Sequence, residues 1–461
     1  MMNANELEEI KDLQTAFFQS NATRDYRFRL KYLKALKRGI QEMEEEIIAA
    51  LKSDFSKPKW ETWTSEIGLL YSEIDHFTKH LKRWVRPKSV PSPLPLFPSR
   101  SKIYSEPMGR CFIIAPWNYP FQLVFEPLIA CLGAGNTALV KPSELTPATA
   151  KVVEKLITKI FPKEYVAVVQ GEGEKVVPEV FDAYRPQHVF FTGSPAVGKI
   201  IAKRAAEDLV PCVLELGGKS PAIIDGTTPM RTTVRRIILA KFLNAGQTCV
   251  APDYILIEKS AKENFLVVMS EELKKSYGEN PMQSADLASI IHDRAFSRLT
   301  ELMRDGDIAI GGKHDASNRR IEPTLLTNVS LDSRIMREEI FGPILPVIEY
   351  NSYEEIIDTV RRNPDPLSLY VFTKSKKLQK GIIRDLSFGG GSVNNAVVQF
   401  TSSEIPFGGV RNSGQGNYHG KFGFDAFSHQ KAMVSSGMWF DPGFKYAPYT
   451  EWSLKVLRKL F

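Results

Sequence analysis

A chain of 461 residues, 43% hydrophobic and 25% charged, has enough apolar material for a folded core and space for roughly two to four domains. Its 60 basic and 53 acidic residues leave a net charge of +7, a mild excess where a nucleic-acid binder concentrates its charge. Four cysteines (Cys111, Cys131, Cys212 and Cys249) are too few for a disulfide framework and imply the reducing cytoplasm.

The opening "MMNANELEEIKDLQ" is acidic and has no apolar segment, so it is not a secretory signal. Residues 5–84 read as helical, with Glu and Lys pairs between apolar positions and a single proline, Pro58. The basic "KYLKALKR" within it reads as one solvated helix face. From Arg86 to Gly109 the chain is too rich in proline for a helix and reads as a surface linker, or as an arm reaching another domain or subunit. Then strand-like runs alternate with helix-like ones. The strands are Cys111–Pro116, Thr137–Ser143, Val166–Gly171, His188–Ser194 and Cys212–Gly218, with amphipathic helices such as Thr146–Phe161 and Pro195–Leu209 between them. That alternation predicts βαβ units and a doubly wound parallel sheet, whose ligands bind beyond the carboxyl ends of the strands. A second alternating region contains Asp253–Glu258, Leu345–Tyr350 and Leu367–Thr373 as strands and predicts a second α/β domain. From about Gly414 the alternation stops. The least charged region, Cys111 to Val140, carries Glu126 and three prolines and does not read as a membrane span. The basic "EWSLKVLRKLF" at the end is able to touch a membrane or a partner, but not to cross a bilayer.

Several chemistries drop out. Gly193 and Gly198 in "TGSPAVGK" have the spacing of a phosphate loop, but Ile200 stands where a nucleotide triphosphatase needs a hydroxyl for Mg²⁺. A helix N-terminus able to hold a phosphate survives, beside the plainer reading of a tight turn. The 7 histidines form no ligand cluster with cysteine, so no metal site is expected, and His76 and His80, at i and i+4, read as a helix face. No G-x-S-x-G elbow is present for a serine hydrolase.

Cys249, in "NAGQTCVAPD", stands among small and polar residues where the helical pattern ends, unlike Cys111 in apolar "RCFIIA". A free thiol ionises only slightly at neutral pH and needs a base or a positive field to become a nucleophile. Glu215 in "LELGGKSP" lies between apolar residues at a strand's carboxyl end, where burying a carboxylate is costly without a task or partner. Asn118 in "APWNYP" is either a turn former or an oxyanion donor.

The motifs "APWNYP", "VKPSE", "FTGSPAVGK", "LELGGKSP", "NAGQTC", "REEIFGPILPV" and "PFGGVRNSG", in this order, resemble the aldehyde dehydrogenase superfamily over nearly the whole chain. "YHGKFGFDAFSHQK", "KYAPYTEW", the short N-terminus and the overall length resemble its class 3 branch. The resemblance implies an α/β fold: a cofactor domain (1–85 and 108–214), a catalytic domain (215–413), and a small β oligomerisation arm with a tail (86–107 and 414–461). It implies Cys249 as nucleophile, Glu215 as general base and Asn118 as oxyanion donor. It places Lys141 and Glu144 on the adenosine ribose, Trp117 and Ser194 on the pyrophosphate above the Gly193–Gly198 loop, and Glu339 and Phe341 at the nicotinamide. The expected reaction is oxidation of medium-chain, long-chain or aromatic aldehydes to carboxylic acids with NAD, NADP also being accepted. A cytoplasmic homodimer is the expected form, with no nucleic acid, metal or transmembrane segment. Two other readings remain. One is a CoA-acylating dehydrogenase, which would lack the base at Glu215; the other is a catalytically silent binding or structural protein, which the intact Cys249, Glu215 and Asn118 argue against. His419 lines the substrate entrance or belongs to the core, and Asn395 stands where relatives often have Asp.

Overall fold

A computed structural model describes residues 2–460. The N-terminal helical span is broken into Ala4–Gln19, Tyr26–Glu42, Glu44–Phe55, Lys59–Thr62 and Gly68–Trp84. Local chemistry sets the breaks: Asn3 and Glu6 form a reciprocal cap on the first helix, Asp25 caps the second, and Asn21 and Ser56 turn the chain in the left-handed region. Helix Gln122–Ala134 is buried on every side, as its almost uncharged sequence requires, and stops at Gly135, whose φ is +100°.

The first sheet has six strands, in the order Gly414–Gln415, Cys212–Glu215, His188–Thr192, Arg110–Ile114, Thr137–Lys141 and Val166–Val168. All neighbours are parallel except the first pair. The five parallel strands thus follow the doubly wound order, reversing between Arg110–Ile114 and His188–Thr192. The carboxyl ends of those two strands diverge there, which opens a crevice for a ligand.

The second sheet has seven strands, in the order Asp307–Ile310, Thr324–Thr327, Ile344–Tyr350, Tyr254–Glu258, Pro221–Ile224, Ser368–Phe372 and Gly390–Val393. Only the Asp307–Ile310 edge strand is antiparallel to its neighbour. Glu215 ends a strand of the first sheet and Pro221 starts one of the second, so "ELGGKSP" is the hinge between them. A third sheet joins Lys88–Val90, Ser99–Pro107 and Ser428–Ser436, with Ser428 opposite Pro107 and Ser436 opposite Ser99.

The tail is divided rather than uniform. Gly414 pairs with Glu215 in the first sheet, and the carbonyl of Phe427 accepts from Asn136 Nδ2 at 2.9 Å, so 414–427 belongs with the first sheet and only 428–436 joins the arm. No helix among the described residues is long and apolar enough to cross a membrane.

Candidate active site

The crevice at the reversal point is a cleft of ≈ 580 Å³ lined by Trp117, Asn118, Ser194, Glu215, Cys249 and Glu339, among others. A second cavity shares this point and is walled by Leu123, Val250, Phe400, Phe407 and Tyr418, among others. Glu215 and Cys249 line both. The thiol therefore sits where the two cavities meet, the first edged by Asn118, Ser194 and Glu339 and the second by Leu123, Phe400 and Phe407.

The loop that carries Cys249 is built by its own side chains. Helix Met230–Phe242 ends, and Asn244, Ala245 and Gly246 follow with φ of 55°, 52° and 74°. A side chain on Gly246 would begin 2.3 Å from the Gly342 carbonyl oxygen, so this position admits glycine alone. Buried Gln247 donates from Nε2 to the carbonyls of Asn244 and Ser289, at 3.1 Å each, and accepts the Ile291 N–H at 3.0 Å. Asn244 Nδ2 donates to the Asn118 carbonyl (2.9 Å), and Asn118 Nδ2 donates to the Gln247 carbonyl (3.1 Å). Asn118 is thus fixed against the cysteine loop with one amide hydrogen still free. Next to Cys249, Thr248 Oγ1 shares a 2.6 Å hydrogen bond with Tyr119.

Glu215 is buried, and neither of its carboxyl oxygens has a hydrogen-bond partner. Burial, then the nearby Glu126 charge, pushes it well above the usual carboxylate range. Burial, then Glu339 and Glu215, pushes the Cys249 thiol up to about 12. Both shifts favour the protonated form of each group.

Across the cleft, Phe341 (φ 51°) sets its ring edge-on to Trp117, with centroids 5.4 Å apart. The segment that presents Glu339 and Phe341 is fastened from below. Lys219 forms a buried ion pair with Asp253 and donates to the carbonyls of Ile335 (2.7 Å) and Glu338 (3.0 Å), while Asp253 Oδ1 accepts the Ile340 N–H at 2.9 Å. Arg298 holds the same segment through the carbonyls of Glu339 (3.2 Å) and Ile340 (2.5 Å). Burial, then Asp253, raises the Glu339 carboxyl to about 8. A side chain on Gly217 would begin 2.1 Å from Glu339, so "ELGG" must be bare for this carboxyl to lie against it.

Lys141 and Glu144 sit at the end of the next strand, outside the lining of this cleft. Lys141 Nζ donates to Glu144 Oε2 at 2.7 Å, and Glu144 Oε1 accepts the Gly173 N–H at 2.9 Å. Ser194 caps helix Pro195–Glu207, whose N-terminus opens on the cleft beside Gly193. Gly198 lies inside that helix against Leu216, 2.6 Å from where a Cβ would stand, and its visible role is close helix packing. His419 lines the apolar cavity, stacked on Phe407 with its Nε2 3.0 Å from Glu126 Oε1. Asn395 lines neither cavity. The apolar walls, the Lys219–Asp253 pair and the Gln247 network are absent from the sequence reading. Only "GQ" and "GGK", polar residues inside the motifs, hinted at the last two.

A profile of the aldehyde dehydrogenase family matches residues 2–433. The chain belongs to the aldehyde dehydrogenase family. It is 45% identical over 439 residues, 94% of this chain and 95% of the relative, to the 4,4'-diaponeurosporen-aldehyde dehydrogenase of Staphylococcus aureus. It is 41% identical to aldehyde dehydrogenase family 3 member H1 of Arabidopsis thaliana, covering 96% and 92% of the two chains. A solved structure, the substrate-bound state of Staphylococcus aureus AldH, superposes with a TM-score of 0.95 at 43% identity over the whole of both chains. The chain is thus an NAD(P)-dependent oxidoreductase that converts aldehydes to acids.

Untying the floor of the cleft should separate its two sides. Asp253→Asn leaves the buried Lys219 ammonium without its counter-charge, a loss of about 3–5 kcal/mol when a buried pair is broken. We expect a lower Tm and a KM for NAD raised at least tenfold, with a much smaller change in the aldehyde KM at saturating NAD. Steady-state kinetics with each substrate varied in turn, alongside thermal unfolding, measure both.

Proposed function

We propose that Cys249 attacks an apolar aldehyde entering through the Leu123–Phe400 side, and that Glu215 then activates the water that releases the acid. The observation that carries this reading is the position of both residues on the wall shared by the two cavities. A thiol on a wall shared by two cavities suits a reaction that brings an apolar substrate and a nucleotide to the same atom.

The residues fit an NAD(P) in the polar cleft. Its wall holds a helix N-terminus at Ser194 and a bare Gly217, and the Thr192 hydroxyl there is buried without a partner. Ser194 and Trp117 would hold the pyrophosphate, Lys141 and Glu144 the adenosine ribose, and Glu339 and Phe341 the nicotinamide end. When bound, NAD(P) supplies the acceptor for the hydride that leaves the Cys249 adduct. Glu144 favours a 2′-hydroxyl over a 2′-phosphate, while its pairing with Lys141 partly neutralises it, so NAD is preferred and NADP accepted.

Attack by sulfur on the aldehyde carbon, with the thiol's proton passing to solvent, gives a thiohemiacetal whose oxyanion accepts from the free amide hydrogen of Asn118 and from the Cys249 N–H. Once the adduct is oxidised to a thioester, Glu215 takes a proton from water as its oxygen adds to the acyl carbon. The C–S bond then breaks, and the acid leaves the regenerated thiol. A carboxyl with a raised pKa is the stronger base when it has lost its proton, which suits it to this step. The presence of Glu215 favours hydrolysis over transfer of the acyl group to CoA. The apolar walls support a long aliphatic or aromatic aldehyde, and the 45% identical relative is itself named for an aldehyde, 4,4'-diaponeurosporen-aldehyde.

We also propose a homodimer formed through the arm, in a cytosolic setting that suits four free cysteines. Leu94, Phe97 and Trp439 are 68%, 54% and 74% exposed beside the three-stranded sheet, more apolar surface than a lone chain ordinarily leaves open. Light scattering should give the mass of two 51.9 kDa chains; a single-chain mass at micromolar concentration would refute it.

The role of Glu215 has a sharper test. Glu215→Gln keeps the shape and removes the proton acceptor. Acylation should still run once, giving a burst of one NADH per active site, after which steady turnover falls by about a hundredfold or more. Cys249→Ala should give no burst. Wild-type steady turnover in Glu215→Gln, followed by rapid mixing, would sink the assignment.

A further inference from the structure

Helix Gly68–Trp84 carries Glu73, His76 and His80, spaced so that all three share one stripe of its surface. The chain returns to this stripe far downstream. Ser403 Oγ donates to Glu73 Oε2 at 2.5 Å, the Gly420 N–H donates to Glu73 Oε1 at 2.6 Å, and Glu404 Oε1 lies 3.8 Å from His76 Nδ1. One ligand atom from each of His76, His80 and Glu404 falls within 4.8 Å of the others.

We propose that His76, His80 and Glu404 bind one divalent transition-metal ion, and that this ion fastens the 400–407 segment and so fixes one wall of the aldehyde cavity. Two imidazoles one helical turn apart and a carboxylate from a second segment form a three-ligand set that leaves positions for water. Bonds of about 2.0–2.2 Å to nitrogen and oxygen require these atoms to draw in by only a fraction of their present spacing. Glu404 is mostly exposed and free to do so. His80 stacks on Trp84, with centroids 5.8 Å apart and planes 19° apart, which restrains its ring.

The surroundings also select the ion. The same surface cleft is lined by Arg83, Arg86, Lys88 and Lys421. That positive rim, with a single carboxylate in the ligand set, disfavours Mg²⁺ or Ca²⁺, which take oxygen ligands throughout. It leaves Zn²⁺, Ni²⁺ or Co²⁺, whose bonds to imidazole do not depend on a negative field. The coupling to catalysis follows from the chain path: Phe400 and Phe407 line the aldehyde cavity on either side of Glu404. This second part rests on the assignment of that cavity to the aldehyde.

Titration calorimetry with Zn²⁺ on Cys249→Ala, which removes the competing thiol, tests the site itself. We expect one ion per chain with micromolar affinity, at least tenfold weaker binding in Glu404→Gln, and loss of binding when His80→Ala is added. No saturable binding below about 1 mM, or an affinity unmoved by His80→Ala, would overturn the site. In the otherwise native enzyme, Ni²⁺ should raise the KM for a long-chain aldehyde several-fold while leaving the KM for NAD unchanged, and His80→Ala should abolish that effect. Metal inhibition that persists in His80→Ala would belong to the catalytic thiol and would refute the coupling. A change in the KM for NAD alone would contradict the placement of the aldehyde and leave the calorimetric result standing.

Discussion

One buried carboxyl without a partner governs this structure. Glu215 has no hydrogen bond to either oxygen, although such burial is costly. A strand register places it there: Gly414 pairs with it on one side and Thr192 on the other, so its position is fixed by two ladders before any chemistry begins. The two glycines that follow turn the chain from the first sheet into the second and leave space for Glu339. The cost of the orphaned carboxyl is thus carried by the sheets, and in the proposed mechanism it supplies the proton acceptor on the wall shared by two cavities.

The sequence singled out the candidate residues more clearly than the architecture around them. Cys249 stood out for its polar neighbours, Glu215 for its apolar ones and Asn118 for its place between two aromatic rings. All three come together in one cleft because strand ends and the 244–246 turn converge there. The alternation of short apolar runs also made the doubly wound sheet readable, since buried parallel strands and amphipathic helices leave opposite patterns.

What stayed hidden depends on distance along the chain or on shapes that leave little trace in composition. Two-residue and four-residue strands, such as Gly414–Gln415 and Thr324–Thr327, have no periodicity to detect. Lys219 and Asp253 look like ordinary surface charges until a segment some eighty residues later is found hanging from them. Gly198 reads as part of a phosphate loop because a glycine needed for close packing and one needed at a ligand are the same letter. Glu404 could not be joined to His76 and His80 by spacing, because only the folded chain brings its segment back to that helix.

The central proposal is that two ligands meet at one thiol, each in its own cavity. The most direct test is a crystal structure of Cys249→Ala with NAD and a long-chain aldehyde both bound. The account predicts the dinucleotide in the cleft between Ser194 and Glu339, and the alkyl chain against Leu123 and Phe400, with its carbonyl beside Asn118. An alkyl chain lying beside Trp117, or a dinucleotide outside the cleft at the strand reversal, would contradict it.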